Sequence, residues 1–239
     1  MKKNLLFSLN IIGMLFVSGC MGDFGDRTHV LTASGQTEIV IMDFSKAIEI
    51  DPIEPGWFHY KFFKHGLNKI DFVKKNGFDT IKISTNDTGS MLMRHIDIPL
   101  AEYPRLKWHW FIEDPIDVAI NEDSKEGDDH PARFYVVFET DDGEKRNMEI
   151  IWGNHLKSGD YKYTGGFPHY VANGGMENIK KWHAEDINLQ QIYAHIWSDK
   201  KPVNIIELGI FCDSDNTNTS SISYFSNVRM TKNTVNEEN

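Results

Sequence analysis

Short runs of alternating apolar and polar residues are the feature that most constrains the fold of this chain. The clearest run places Leu106, Trp108, Trp110 and Ile112 on one side of an extended segment and the intervening residues on the other. Strict alternation is the period of a β-strand with one buried face. Further short segments that are β-branched or alternate in the same way, with turn residues between them, are 38–44, 57–62, 80–84, 91–96, 133–139, 148–152, 204–211 and 222–230.

The chain has one regular helical pattern. Between residues 187 and 197 apolar side chains recur at the helical period, and Asp186 precedes them as a candidate N-cap. About ten short strands with one short helix predict an all-β domain, a two-sheet antiparallel sandwich of the jelly-roll or galactose-binding-like type. Residues Ile41–Phe44 resemble the opening of carbohydrate-binding jelly rolls, and Ser223–Met230 resemble their last strand, which returns beside the first.

The first 20 residues predict export and lipidation. Lys2 and Lys3 precede an apolar stretch that is too short to span a membrane, which is the pattern of a secretory signal. The stretch ends in Val17-Ser18-Gly19-Cys20, which resembles the bacterial lipobox, whose cysteine receives diacylglycerol before cleavage. An ordinary secretory signal with an incidental cysteine is the alternative. A lipid on Cys20 would make the membrane a partner and the cell envelope the location. Met21 favours the outer membrane, by resemblance to the enterobacterial sorting rule.

These signals divide the chain into four parts. We predict a lipoprotein signal peptide over 1–19, a lipidated cysteine and tether over 20–36, a β-sandwich domain over 37–230 and a disordered tail over 231–239. The tether is polar and rich in glycine, and the tail is polar, which are the compositions of unstructured segments.

Charge and missing motifs exclude several classes of function. The formal net charge is −10, from 25 basic and 35 acidic side chains. A chain this acidic repels phosphate backbones, so we predict no nucleic-acid partner. The sequence also lacks the Gly-x-Ser-x-Gly motif of serine hydrolases, the P-loop and the dinucleotide-binding motif.

A first candidate site lies at the entrance of the strand that begins near residue 133. Asp128, Asp129, His130 and Arg133 bring two carboxylates, an imidazole and a guanidinium together within six residues. Such a set can hold a metal or clamp a polar ligand. The alternative is that one aspartate caps a turn and Arg133 neutralises the pair. We predict that these four residues bind a ligand.

The chain also has six tryptophans. Trp108 and Trp110 share a strand face and are predicted core residues. Trp57 and Trp152 lie near predicted strand ends, where a flat ring can stack on a sugar. We predict that these two rings bind ligand, and core filling is the alternative for each.

A second candidate site follows the apolar strand that ends near residue 211. Asp213, Asp215 and Thr217 present loop oxygens of the kind that bind calcium or magnesium. The alternative is a polar Asx-turn between two strands. An EF-hand is excluded because Asn218 and Tyr224 occupy the positions that need glycine and glutamate. We predict a metal site at these three residues, with calcium as the candidate cofactor.

The order of strands and loops suggests that the two candidate sites form one. The strand over 133–139 begins just after the first loop, and the strand over 204–211 ends just before the second. If these two strands pair antiparallel, both loops lie at the same edge of the sheet and can meet. If they run parallel, the loops lie about 20 Å apart.

Several motifs together resemble a bacterial domain-of-unknown-function family, number 3047. They are Gly56-Trp57, Tyr103-Pro-Arg-Leu-Lys-Trp-His-Trp110, Gly127-Asp-Asp-x-x-Ala-Arg-x-Tyr-Val-Val-Phe138, Ile151-Trp-Gly153 and Asp213-x-Asp-Asn-Thr217. The resemblance covers about residues 54–230, and it implies no activity because none is established for the family. It does mark the two aspartate motifs as a site.

Three functions remain open from the sequence. The first is a non-catalytic, lipid-anchored sandwich that binds a glycan or another envelope component. The second is a metal-assisted polysaccharide hydrolase or lyase that uses Asp128, Asp129, His130, Asp213 and Asp215, because paired carboxylates cleave glycosidic bonds. The third is a structural lipoprotein with protein partners only.

Overall fold

The computed structural model describes residues 28–62, 66–117, 119–198 and 201–233. Within these ranges the chain forms fourteen strands in two sheets and one α-helix, α1 (Leu189–Trp197). In chain order the strands are β1 (Leu31–Thr32), β2 (Glu38–Met42), β3 (Trp57–Lys61), β4 (Lys69–Lys75), β5 (Phe78–Asn86), β6 (Gly89–Pro99), β7 (Arg105–Asp114), β8 (Arg133–Thr140), β9 (Lys145–Gly153), β10 (Tyr161–Thr164), β11 (Phe167–Gly174), β12 (Trp182–Asn188), β13 (Val203–Asp213) and β14 (Ser220–Thr231).

The larger sheet has eight strands in the order β1-β6-β13-β8-β9-β11-β10, with β3 also paired to β6. The smaller sheet has six strands in the order β12-β7-β14-β5-β4, with β2 paired to β14. The predicted two-sheet sandwich is confirmed, and so is the return of the last strand beside the first strand of the predicted domain. Two pairs depart from the antiparallel pattern, since β6 with β1 and β9 with β11 are parallel.

The main core lies between the two sheets. Leu106, Trp108, Trp110 and Ile112 are buried in it, as their alternation predicts, and the ring of Trp108 packs edge-on against that of Trp110. Alternate residues of the larger sheet belong instead to a smaller apolar cluster on the other face of that sheet. Its buried members are Met91, Met93, Tyr135, Val137, Ile206 and Phe211, with Phe58, Tyr60 and Phe62 packed against them.

The predicted helix begins two residues late, and its predicted cap is wrong. Asn188 caps α1, because its side-chain oxygen accepts the backbone N–H of Gln191 at 3.0 Å. Asp186 lies in β12, where it pairs with Lys107 of β7. The ladder between β12 and β7 continues as far as Asn188 and Arg105, so sheet pairing holds this stretch extended.

The described ends of the chain differ slightly from the predicted segments. Leu31–Thr32, within the predicted tether, forms a short parallel strand beside Ile96 and Asp97, and β14 extends to Thr231. The predicted signal peptide, Cys20 and most of the predicted tail lie outside the described residues. Among the described helices, none is long and apolar enough to cross a membrane.

Candidate functional site

The two aspartate loops meet at one edge of the larger sheet. Strands β8 and β13 are antiparallel neighbours, and Phe211 near the end of β13 pairs with Arg133 at the start of β8. The loop that precedes β8 therefore lies against the loop that follows β13. This confirms the predicted convergence.

Asp129 joins the loops through hydrogen bonds. Its Oδ2 accepts the backbone N–H of Thr217 at 2.7 Å and the hydroxyl of Thr217 at 2.6 Å, and its Oδ1 accepts the N–H of Asn216 at 3.3 Å. In the opposite direction, the backbone N–H of His130 donates to Asp213 at 3.1 Å. Each loop thus satisfies the polar groups of the other.

Arg133 is the buried cation of this edge, with 2% of its surface exposed. Its Nε donates to Asp213 at 2.9 Å and its Nη1 donates to Glu149 at 2.6 Å. A third bond runs from Nη2 to the carbonyl oxygen of Asp128. Three partners thus hold the guanidinium, and a buried charge must be paired and hydrogen-bonded in this way.

His130 is neutral and has a defined tautomer. Its Nδ1 lies 3.0 Å from the carbonyl oxygen of Trp152, which only accepts, and its Nε2 lies 2.9 Å from the ammonium of Lys162, which only donates. The proton is therefore on Nδ1. Burial, followed by the charge of Arg133, lowers the pKa of His130 to about 3, in agreement with this assignment. Both ring nitrogens are used inside the protein, so His130 does not fit the predicted ligand-binding role.

Lys162 and Asp128 form a further buried pair. The ammonium of Lys162 donates to Asp128 Oδ1 at 2.6 Å and to the carbonyl oxygen of Glu122 at 2.7 Å. Burial works against the charged form of Asp128, but the charges of Arg133 and Lys162 oppose it, and the pKa of Asp128 falls well below its usual range. Asp128 is thus an ionised structural group of this edge.

Glu149 and His169 belong to the same ionic cluster and were missed from the sequence. His169 Nε2 lies 3.1 Å from Glu149 Oε2 and 3.7 Å from Asp128 Oδ1. Burial raises the pKa of Glu149, but the charges of Arg133 and His169 outweigh burial and lower it to about 2. The available signal was a glutamate inside the apolar run over 148–152, where an unpaired charge is costly.

Asp129, Asp213 and Asp215 each place a carboxylate oxygen within 4.8 Å of the others. Burial is the main cause that raises the pKa of Asp213 well above its ordinary value, and Asp129 and Glu149 add to the effect against Arg133. A cation would relieve this repulsion, so these residues can hold a metal ion. Thr217, the third predicted metal ligand, donates its hydroxyl to Asp129 and is not one of these three residues. The identity of the ion as calcium stays a prediction.

The two tryptophans predicted to stack on sugar lie in the core. Trp152 is 1% exposed and packs edge-on against Trp110, with ring centroids 5.5 Å apart. Trp57 is 8% exposed, and the guanidinium of Arg94 lies 5.2 Å from its ring centroid. Neither ring offers an open face, so core filling is the correct interpretation for both.

Exposed aromatic rings occur instead on the edge strand β10. Tyr161 is 41% exposed and Tyr163 is 72% exposed, and alternation puts both on one face of the strand. The hydroxyl of Tyr163 donates to the carbonyl oxygen of Gly166 at 2.9 Å, which restrains the ring. The ring of Tyr161 stacks on that of His195 in α1 at 4.5 Å.

Tyr163 borders a groove of about 350 Å³ between β10, β11 and the end of α1. We call it the Tyr163 groove. Its lining also includes Lys145, Arg146, Asn147, Gly166, Pro168, Ile196 and Trp197. Sequence analysis did not identify this groove, because β10 is only four residues long and shows no clear pattern.

Residues 55–229 match the family described as protein of unknown function DUF3047. The chain belongs to this family. The matched range contains both aspartate loops, the ionic cluster and the Tyr163 groove, so the family domain and the β-sandwich coincide except for β1, β2 and the end of β14. The comparison with curated proteins found no match.

Solved structures similar to this DUF3047 domain share little sequence identity with it. A family 11 carbohydrate-binding module of a Clostridium thermocellum cellulase aligns with a TM-score of 0.40 and 11% identity, over 82% of this chain and 95% of that chain. A family 30 carbohydrate-binding module from the same organism gives 0.39 and 10%, over 84% and 99%. The xyloglucanase domain of a Sinorhizobium fredii effector gives 0.39 and 10%, over 74% and 93%. At these TM-scores the matches carry no conclusion about ligand or activity.

Proposed function

We propose that this protein is a non-catalytic glycan-binding β-sandwich held at the cell envelope. The observation that carries the proposal is the pair of exposed tyrosines on β10, Tyr161 and Tyr163, beside the Tyr163 groove. They are the two aromatic side chains among the exposed large hydrophobic residues that the structure describes.

The chemistry of the groove suits a sugar chain. A flat ring offers apolar contact to the C–H face of a pyranose, and nearby polar groups bind its hydroxyls. Arg146, which donates to Glu144 and Tyr193, and Asn147, which donates to Tyr135, form the polar part of the groove wall. Because the ring of Tyr163 is restrained by its bond to Gly166, binding costs little of its rotamer freedom. Tyr161 lies about 6.6 Å along the same strand face, where its ring stacks on His195, so Tyr163 offers the more open ring to a sugar unit.

The bonding of the aspartate loops supports a binding role over the hydrolase or lyase alternative. Asp129 and Asp213 accept hydrogen bonds from Thr217 and Arg133, and Asp128 accepts one from Lys162. A general acid or base must instead reach the substrate's proton. In this proposal the loops set the shape of the domain.

Location and cofactor complete the proposal. The lipobox-like Val17-Ser18-Gly19-Cys20 supports a lipid anchor at Cys20, and Met21 supports the outer membrane. A calcium ion at Asp129, Asp213 and Asp215 would neutralise carboxylates that Arg133 alone does not balance. Its role is to stabilise the loops.

A polysaccharide binding assay tests the function. The full-length protein in detergent is tested by glycan array and by co-sedimentation with insoluble polysaccharides, as wild type, Tyr163→Ala and Tyr163→Phe. Tyr163→Ala is expected to weaken binding about tenfold, and Tyr163→Phe to retain most of it, because the ring supplies the contact. Val40→Ala, at an exposed residue of β2, is the surface control. Failure to bind any glycan, with protein partners captured instead, would favour the structural lipoprotein.

A further inference from the structure

The hairpin formed by β10 and β11 carries the two exposed tyrosines and, on its other face, two buried basic side chains. Lys162 lies between Tyr161 and Tyr163 on β10 and is 8% exposed. His169 lies opposite Lys162 in the hairpin register and is 1% exposed. The hairpin is joined to the rest of the larger sheet by the pairing of β11 with β9 and by the ionic contacts of these two side chains.

Both ring nitrogens of His169 face hydrogen-bond acceptors. Its Nδ1 lies 3.0 Å from the carbonyl oxygen of Phe167, and its Nε2 lies 3.1 Å from Glu149 Oε2 and 3.7 Å from Asp128 Oδ1. Arg133 pairs with both of these carboxylates and keeps them ionised, so they only accept. Each ring nitrogen therefore carries a proton, and His169 is a buried imidazolium.

The neighbouring donors leave His169 Nε2 no other arrangement. Lys162 has three N–H groups and donates them to Asp128, to His130 and to a backbone carbonyl oxygen. Among the described residues, none donates a hydrogen bond to His169 Nε2. If this nitrogen lost its proton, its lone pair would lie against the carboxylate of Glu149, and attraction would become repulsion.

His169 also connects the wall of the Tyr163 groove to β9. Phe167, whose carbonyl oxygen accepts from the ring, lies between Gly166 and Pro168, and both of these residues line the groove. Glu149 lies on β9, which supplies further residues of the lining. The imidazolium therefore holds together two of the elements that form the groove.

We propose that protonation of His169 controls the Tyr163 groove, which is held in shape while the imidazolium pairs with Glu149 and opens when the ring loses its proton. Histidine is the residue whose charge ordinarily changes between about pH 5 and 8. The contribution of the ion pair is complete at the acid end of this range and is lost as pH rises. This regulation rests on the proposed function of the groove.

The charged groups around the ring support this direction. Glu149 on β9 and Asp128 before β8 attract the imidazolium, while Arg133 on β8 and Lys162 on β10 share the same two carboxylates. Guanidinium and ammonium groups ordinarily keep their protons well above neutral pH, whereas an imidazolium does not. His169 is therefore the cation of this cluster that responds to a moderate rise in pH.

Nuclear magnetic resonance and hydrogen exchange test this inference on the full-length protein in detergent. The ¹⁵N shifts of the His169 ring report its protonation, and the exchange rates of amides 161–174, corrected for the intrinsic rate at each pH, report opening of the hairpin. From about pH 5.5 to about pH 8.5 the ring should pass from doubly protonated to neutral. Opening of the hairpin should increase about tenfold over the same range.

Two variants separate His169 from other titrating groups. His169→Gln should remove the pH response of the hairpin, because the amide donates to Glu149 at every pH. His29→Gln, at an exposed histidine, is the matched control and should respond as wild type does. Asp213→Asn should also keep the response, because Asp213 bonds to Arg133 and not to His169. The wild-type titration needs no variant, so a poorly folded His169→Gln does not remove the test.

Glycan binding measured over the same pH range completes the test. Binding by wild type should weaken about tenfold as pH rises, and binding by His169→Gln should stay constant. If no glycan binds at any pH, the proposed function fails, and the ring and exchange data still decide whether His169 controls the groove. The inference is overturned if the ring keeps one protonation state throughout, if hairpin exchange does not follow the ring, or if glycan binding is independent of pH.

Discussion

The carboxylate of Asp129 accepts both the backbone N–H and the hydroxyl of Thr217, at 2.7 and 2.6 Å, across 88 residues of sequence. One side chain thereby joins the loop before β8 to the loop after β13. A hydrogen bond to a charged group contributes about 1.5–3 kcal/mol, so this pair is a substantial part of what holds that edge together.

Asp129→Ala is expected to destabilise the fold by about 3 kcal/mol, because both donors of the half-buried Thr217 lose their acceptor. Asp129→Asn keeps one acceptor oxygen and should lose about half as much. Urea unfolding at neutral pH measures both. Asp141→Ala, at an exposed turn residue, is the control, and an Asp129→Ala variant as stable as that control would contradict the joining role.

Arg133→Met is expected to cost about 3–5 kcal/mol, because Glu149 is then left as a buried charge without its cation and Asp213 loses a hydrogen-bond donor. Adding Glu149→Gln should recover part of the loss, since the stranded charge is removed. A double-mutant cycle by urea unfolding measures the coupling. Strictly additive costs would show that Arg133 and Glu149 do not depend on each other.

Two carboxyl groups predict opposite responses to pH. The pKa of Glu149 falls from 4.5 to about 2 on folding, so its stabilisation is present above pH 4.5 and is lost as pH falls toward 2. The pKa of Asp213 is raised by burial, so the folded state loses stability as pH rises through that value. The urea midpoint is measured as a function of pH. In Glu149→Gln its fall at acid pH should be reduced, and in Asp213→Asn its fall with rising pH should be reduced. Profiles identical to wild type would contradict both assignments.

Calcium is expected to raise the thermal midpoint at pH 7 and above, where the cation relieves the repulsion among Asp129, Asp213 and Asp215. At a calcium concentration about 100 times the dissociation constant, linkage predicts about 2.7 kcal/mol of stabilisation. Asp215→Asn should abolish the shift, and magnesium tests selectivity. A midpoint that responds neither to calcium nor to a chelator would rule out the cation.

Cys20→Ala is expected to block lipidation and leave the precursor uncleaved by the lipoprotein peptidase. Detergent phase partitioning compares wild type with the variant, and the wild type should enter the detergent phase because acyl chains contribute about 0.8 kcal/mol per buried methylene. Cys212 is buried and does not offer a second acceptor thiol. A wild-type protein that partitions wholly into water would refute the anchor.

Part of the candidate site was within reach of the sequence. The loops containing Asp129 and Asp213 were predictable as neighbours, because one precedes a strand, the other follows a strand, and antiparallel pairing brings such loops together. The sequence analysis predicted ligand and metal binding for these loops and gave structural hydrogen bonding only as the alternative. Lys162 and His169 could not be assigned to the site, because the β10–β11 hairpin that carries them joins the sheet through a parallel pairing with β9.

The local sequence pattern predicted the secondary-structure elements better than it predicted the burial or role of single residues. Alternation correctly identified Trp108 and Trp110 as core residues, yet it left Trp152, at the end of a predicted strand, open between core and ligand binding. The start of α1 was similarly beyond local pattern, since pairing between β12 and β7 held Asp186 in a strand. In both cases the deciding contacts come from distant parts of the chain.

The amino-acid sequence by itself determined that this chain is a β-sandwich of short strands, because a period of two is a local property of consecutive residues. Only the tertiary structure decided which polar groups are consumed within the protein and which surfaces stay open. Arg133 and His130 are enclosed by partners from β13, β9 and β10, whereas Tyr163 lies exposed at the edge strand of the same sheet. The physical reason is that burial and pairing depend on which distant strands become neighbours, and single-residue chemistry does not contain that information.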